Sequence, residues 1–537
     1  MRPEDLTAPE RELWEAFPAG RLLDFRSGDP AADDPARGEG WGPERTVRAQ
    51  VVAALLLGAR EAEPGAQPAV ELRGARIAGR LTLDHAEIGH HLRITDSWFE
   101  QQPSLYGTRM RQLSLNGSRL PGLLASQAVI DGIVRMRHCT VDGDIRLVGA
   151  TVTGALLMDG CRIAGPDGQA LTADRLRVEN DAFLRDGFTA EGRVTFRNAV
   201  FGSNLHLGDA RLSNPGGVAL DAVRAQIEGD LSASRLEAEG MVRMPGARIA
   251  GTFFLGGARL HHPGGRALYA SALEVGAGLL LRDGCTVTGE VRLASARIEG
   301  GLDLRGARLS AGEGGGTALT LLHAQVRDLD LLTDGPPQGR VSLRHATIGV
   351  LRDDPASWPA RLNLDGTVYG RFGTLLPAAR RLRWLALDDE GYLPQPYEQL
   401  AAVYRAVGHD DEARRVLLAK QRARRAGLPW YARLWGHLQD LTVGYGYQPA
   451  RALLWLLGLL AAGTAMFTWR GPVGPEPVEC DPAELTFDLL VPVGSIPDCQ
   501  SYGPPDELQW FGYLLMAAGW LLATTVAAAI TRGANRP

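Results

Sequence analysis

The chain has 537 residues, of which 45% are hydrophobic and 22% charged, with a formal net charge of −5. That length accommodates several domains, the composition is that of folded protein, and the balance of charge offers no basic surface for nucleic acid. Glycine is abundant, at 66 residues, which suits a fold made of tight turns.

The first residues, Met1 to Phe17, are charged and carry no apolar core, so they do not read as a secretory signal. Residues 1–69 are expected to form a helical N-terminal cap. Its helices are expected at 8–25 and 43–58, the second stopped by Gly58.

From about residue 70 a short phrase recurs: a small residue, any residue, then a large aliphatic one. The aliphatic anchors are Ile77, Ile88, Phe99, Met110, Leu120, Ile130, Val141, Val152 and Ile163, at intervals of 10 or 11. Strict alternation lies between them, as in Leu81 and Leu83 or Ile145 and Leu147. Alternation places every second side chain on one face of a strand. Two such units, about 22 residues, make one coil, so residues 70–370 are expected to form a parallel β-solenoid of about twelve to thirteen coils. Its handedness is expected to be right-handed, as parallel crossovers are.

A longer period overlies the first. Turns at Gly165, Asn214, His262 and Gly312 each lead into an Ala-Leu pair, and the leucines Leu171, Leu220, Leu268 and Leu319 are 49, 48 and 51 residues apart. These extended turns are expected to line up on one side of the solenoid, where repeat proteins often bind. The ends of a solenoid expose strand edges, so the N-terminal helices and residues 371–427 are expected to cover them.

Residues 371–451, with 13 basic and 8 acidic residues, are expected to form a basic helical collar. Apolar positions at 400, 403, 404, 407, 413, 416 and 417 suggest one helical hairpin of tetratricopeptide type, broken at Gly408. Residues 452–469 and 508–530 carry no charge, and each is long enough for a transmembrane helix. Arginines precede the first and follow the second, whereas the connecting loop, 470–507, is acidic. Both termini are therefore expected in the cytoplasm, with 531–537 as a tail. Cys480 and Cys499 fall in the exported loop, where a disulfide persists.

Thr442-Val-Gly-Tyr-Gly446 matches a potassium-channel filter, but it precedes the first apolar span and reads as a glycine-hinged turn. Cys139 and Cys161 are 22 residues apart in the small position of the repeat, and are expected as stacked, buried, reduced thiols. Cys285 fills the same slot. The adjacent histidines His90-His91 and His261-His262 are read as turn or surface positions. The residues suggest no catalytic, cofactor-binding or metal site: dinucleotide, nucleophile-elbow and metal-ligand spacings are all missing. Residues 71–370 hold 33 acidic and 33 basic side chains, too neutral a rod to mimic DNA.

The repeats resemble those of pentapeptide-repeat β-helices, with intervals that alternate between five and six. The whole layout is similar to that of a family of actinobacterial membrane-anchored repeat proteins labelled "membrane-associated oxidoreductase". The likeness rests on Trp41-Gly-Pro-Glu-Arg-Thr-Val-Arg-Ala, on the repeats, and on Leu441-Thr-Val-Gly-Tyr-Gly-Tyr-Gln-Pro-Ala-Arg-Ala. It implies a bacterial inner-membrane protein and, by its label, redox chemistry. The residues themselves point to a scaffold that holds a protein partner at the bilayer.

Overall fold

The computed structural model describes residues 3–312, 314–426, 449–470, 480–491, 499 and 503–534. Two compact units divide the chain: residues 1–375 with 383–390, and residues 376–382 with 391–537.

In the first unit the alternating pattern folds into a parallel β-solenoid of about fourteen turns. A full coil supplies four short strands, and each pairs in parallel with its counterpart one coil later. Four buried ladders result. One runs through Val70, Leu92, Leu113 and Val134, and another through Val47, Ile77 and Phe99. A third runs through Leu123, Ile145, Leu171 and Val194, and the fourth through Ile88, Met110, Ile130 and Val152. All these side chains are buried. The 11-residue interval is therefore half a coil. Ile77 and Ile88 belong to different ladders, and Ile77 stacks on Phe99, 22 residues on. Burial stabilises each rung by about 25 cal/mol per Å² of apolar surface.

The N-terminal cap differs from expectation. Helix α1 is Ala8–Ala16 and helix α2 is Ala49–Leu56. The expected helices at 8–25 and 43–58 are interrupted. Gly20 turns the chain at φ +62°, Leu23–Asp24 pairs with Leu72–Arg73, and Thr46–Arg48 pairs with Arg76–Ala78. The first repeat coil needs its apolar ladder covered, and Val47 on Ile77 supplies that cover in strand form. This incomplete additional coil explains part of the excess over the expected twelve to thirteen.

Glu10 ties the cap together. Its carboxylate is fully buried and bridges the Arg48 guanidinium at 2.6 Å and the Thr7 backbone N–H at 2.9 Å. Burial would raise its pKa. The hydrogen bonds from Arg48 and from the Thr7 and Arg48 backbone outweigh that and hold the carboxyl below its ordinary value.

At the other end, residues 383–390 cover the last coil. The Leu362 N–H donates to the Leu387 carbonyl at 2.9 Å and the Leu364 N–H to the Asp388 carboxylate at 3.0 Å. The exposed strand edge is thereby paired. Trp384 closes the apolar end against Tyr369 and Phe372, with ring centroids 6.1 Å away from each.

The second unit contains helices α4, Pro394–Ala406, and α5, Asp410–Ala426. They form the expected hairpin around Gly408, with Leu400, Tyr404, Val416 and Leu417 buried and Glu398 paired with Lys420. Helix α3, Ala378–Leu385, precedes them. Helices α6, Pro449–Arg470, α7, Pro482–Leu490, and α8, Gln509–Ala534, follow. Two spans were expected. Among the described residues one helix is long and apolar enough to cross a membrane, over Leu453–Arg470. Helix α8 has 26 residues, and its side chains are described through residue 524.

Two predictions follow from the packing. Phe201 is fully buried and meets Phe196 edge-on at 5.5 Å, so Phe201→Ala should lose about 3–5 kcal/mol in chemical denaturation. Glu10→Gln should lose about 2 kcal/mol at neutral pH. The folded Glu10 carboxyl titrates below the unfolded one, so its contribution is complete above about pH 4.3 and fades as pH falls through the lowered folded value. Thermal unfolding across pH should show the wild-type advantage over Glu10→Gln shrinking below about pH 4.

Candidate functional site

The four extended turns all fall between the same two ladders. The first three interrupt the 11-residue strands Arg162–Thr172, Arg211–Asp221 and Arg259–Tyr269. The fourth joins Arg308–Ser310 to Thr317–Thr320. They occur on alternate coils, and the intervening coils cross the same corner directly, as at Thr189–Thr195 and Glu237–Arg243. The result is a row of projecting turns along one corner of the solenoid.

Pro215-Gly216 and Pro263-Gly264 form the centres of the second and third turns, with Gly216 and Gly264 both at φ +72°. Proline followed by a residue of positive φ is the chemistry of a type II turn. Asn214 closes the second turn by donating its side-chain amide to the Val218 carbonyl at 2.9 Å.

Each turn rests on a glycine of the following coil: Gly192, Gly240, Gly289 and Gly339, all with positive φ. A Cβ at Gly240 would lie 2.5 Å from the Asn214 carbonyl oxygen, and one at Gly289 would lie 2.5 Å from that of His262. Sequence reasoning missed these glycines, although their signal was present. They recur at 48, 49 and 50 residues, the period of the turns themselves.

The electrostatics of the row are mixed. Asp221 ends the strand that carries the second turn, and its fully buried carboxylate pairs with Arg197 at 2.8 Å and Arg243 at 3.1 Å. That contact raises the Arg197 pKa further. Between the third and fourth turns lies a cleft of about 580 Å³, lined by His262, Gly264, Arg266, Glu290, Gly316 and Thr317. Glu290 accepts from the Thr320 hydroxyl at 2.6 Å and pairs with Arg266 at 3.4 Å and Arg292 at 3.3 Å. Such a relief offers backbone groups and both signs of charge.

The other singled-out residues lie elsewhere. Cys139 and Cys161 occupy equivalent positions on neighbouring coils, and both are buried and free. Ser97 and Ser118 precede them in the same column, with hydroxyls bonded to the Thr95 and Ile94 carbonyls. Cys139 repeats that contact to the Leu115 carbonyl at 3.0 Å. Burial pushes the Cys139 and Cys285 thiols up to about 12 and Cys161 well above its ordinary value. His90 packs edge-on against Phe17 at 5.4 Å, and His261 and His262 lie on the third turn. A pair not singled out from sequence, His323 and His345, stacks one coil apart at 4.9 Å. Among the described residues no three His, Cys, Asp or Glu side chains gather so that they could hold a metal ion. Cys480 and Cys499 are joined by a disulfide, with Cα atoms 5.0 Å apart. Thr442–Gly446 lies outside the described residues.

No family model, curated protein or solved structure matches the chain.

The seats and the buried thiols each have a measurable consequence. Gly240→Val forces a branched side chain into a positive-φ position beneath the second turn. It should cost about 1–3 kcal/mol and make residues 213–218 the first site of limited proteolysis. Iodoacetamide should modify Cys139, Cys161 and Cys285 only after denaturation, since all three are buried and held as thiols.

Proposed function

We propose that this protein is a membrane-anchored scaffold whose row of extended turns binds a protein partner. The observation that carries the reading is the recurrence of those turns at one corner on every second coil. A rigid, evenly spaced relief can engage an elongated partner at several points at once.

Anchoring is the second part of the reading. We take α6 and α8 as two spans, with the acidic loop outside and both termini in the cytoplasm. Arginine placement supports that orientation, and the basic collar would be drawn to anionic lipid. We take the coil to be right-handed and the membrane to be a bacterial inner membrane. The likeness to the repeat family labelled "membrane-associated oxidoreductase" supports the anchor and raises the competing enzyme reading.

The test uses the full chain in cells, with a photo-crosslinking residue at Asp167 or Arg266 on the turns and at Glu228 or Glu299 on another side. The scaffold reading expects one discrete adduct from the turn positions and none from the others, in membranes that keep the protein through carbonate extraction. Failure of both turn positions to crosslink would remove the binding surface. A stoichiometric visible chromophore in detergent-purified protein would replace the scaffold with the enzyme.

A further inference from the structure

The loop between the two proposed spans is placed by its charge outside the bilayer, yet its helix packs deep along both of them. Helix α7 touches α6 and α8 through a shared apolar cluster of Phe467, Cys480, Leu485, Leu490, Cys499 and Leu515. Leu456, Leu459 and Leu460 of α6 pack against the same cluster. Two glycines mark the closest approaches. A Cβ at Gly463 would collide with the Thr486 side chain, and one at Gly519 with the Leu490 carbonyl. Close approach at small residues is how helices associate inside membranes, where apolar burial drives nothing.

Depth follows from helix rise. Gly463 lies six residues inside Trp469 and Gly519 nine residues inside Trp510, which is about 9 Å and 14 Å at 1.5 Å per residue. Both tryptophans are largely exposed in the protein alone, as interfacial anchors would be. The hydrocarbon core is about 30 Å thick, so the C-terminal end of α7 would lie within it. Phe487 fits that position: it is 47% exposed, as Leu457 on α6 is 53% exposed, and lies one turn deeper along α7 than the exposed Glu484. The polar start of α7 faces the other way. Asp481 caps it by accepting from the Ala483 N–H at 2.9 Å, next to the Cys480–Cys499 bridge. Asp488 is half-buried and engaged.

We infer that α7 is a re-entrant helix. It enters the outer leaflet between α6 and α8, is pinned at its mouth by the disulfide, and presents Phe487 to lipid acyl chains. The inference rests on the reading of α6 and α8 as spans. It makes the anchor a three-helix wedge in the outer leaflet rather than a simple hairpin.

The test is spin-label accessibility in the full chain reconstituted in phosphatidylcholine–phosphatidylglycerol vesicles. The native free cysteines are buried, so labels go to Phe487→Cys, with Leu457→Cys as the lipid reference and Glu507→Cys as the water reference. Mass spectrometry verifies that the native disulfide is intact. The inference expects the label at 487 to collide with oxygen and be shielded from a water-soluble nickel chelate, as at 457. A 487 label open to nickel like the one at 507, with 457 still shielded, overturns the re-entrant helix and leaves the spans. Nickel access at 457 as well overturns both. A photo-crosslinking residue at Phe487 in place of the thiol gives an independent readout, with lipid adducts expected and their absence counting against insertion.

Discussion

An apolar side chain in one coil of this protein is fully buried only when the next coil covers it. No coil can hide its own aliphatic face, so stability is a nearest-neighbour property that runs along the whole stack. Every other feature of the first unit obeys that constraint. Inward positions are mostly Leu, Ile, Val, Phe or Ala, with Met110 in one ladder and small Ser or Cys side chains in the column of Ser97, Ser118, Cys139 and Cys161, and lengthening at a corner leaves the ladders in register. The ends need cover. Val47 and α2 close one end, and Trp384 with residues 387–389 closes the other.

The extended turns show how a solenoid can vary its surface without disturbing its core. Four extra residues between Leu212 and Leu220 leave both leucines in their ladders, compared with the direct crossing from Ala238 to Val242. The projecting chain must lie against the next coil, and only a residue without Cβ leaves room there. Turn and seat are thus two halves of one feature separated by a coil. The charges around the row are largely compensated, which favours recognition by shape and hydrogen bonding over long-range steering.

The second unit is governed by different physics. In α6, α7 and α8 large apolar side chains such as Leu454, Trp469, Trp510 and Trp520 are exposed, an arrangement water would penalise and lipid would favour. Small residues mark the helix contacts, and the disulfide holds a segment that has little core of its own. The solenoid's cysteines are buried free thiols, whereas the two cysteines of the second unit are joined in a disulfide.

The solenoid was legible in sequence because period-2 alternation, the 11-residue interval and the 49-residue spacing of the turns are local consequences of stacking, and the hairpin around Gly408 was legible from its helical period. Residues 17–25 and 43–48 were misread as helix, since their strands at Leu23–Asp24 and Thr46–Arg48 exist only to complete a coil and pairing across 25 or more residues leaves no local period. The seats at Gly240 and Gly289 repeat visibly, but nothing in a lone glycine says which carbonyl lies above it. The packing of α7 was equally hidden: charge marks a polar segment, whereas the fit of Thr486 on Gly463 and Leu490 on Gly519 is a contact between segments. Sequence by itself determined what repeats, which faces are apolar and where the character of the chain changes. Tertiary structure alone decided which repeats touch, because contact depends on the path of the chain between them.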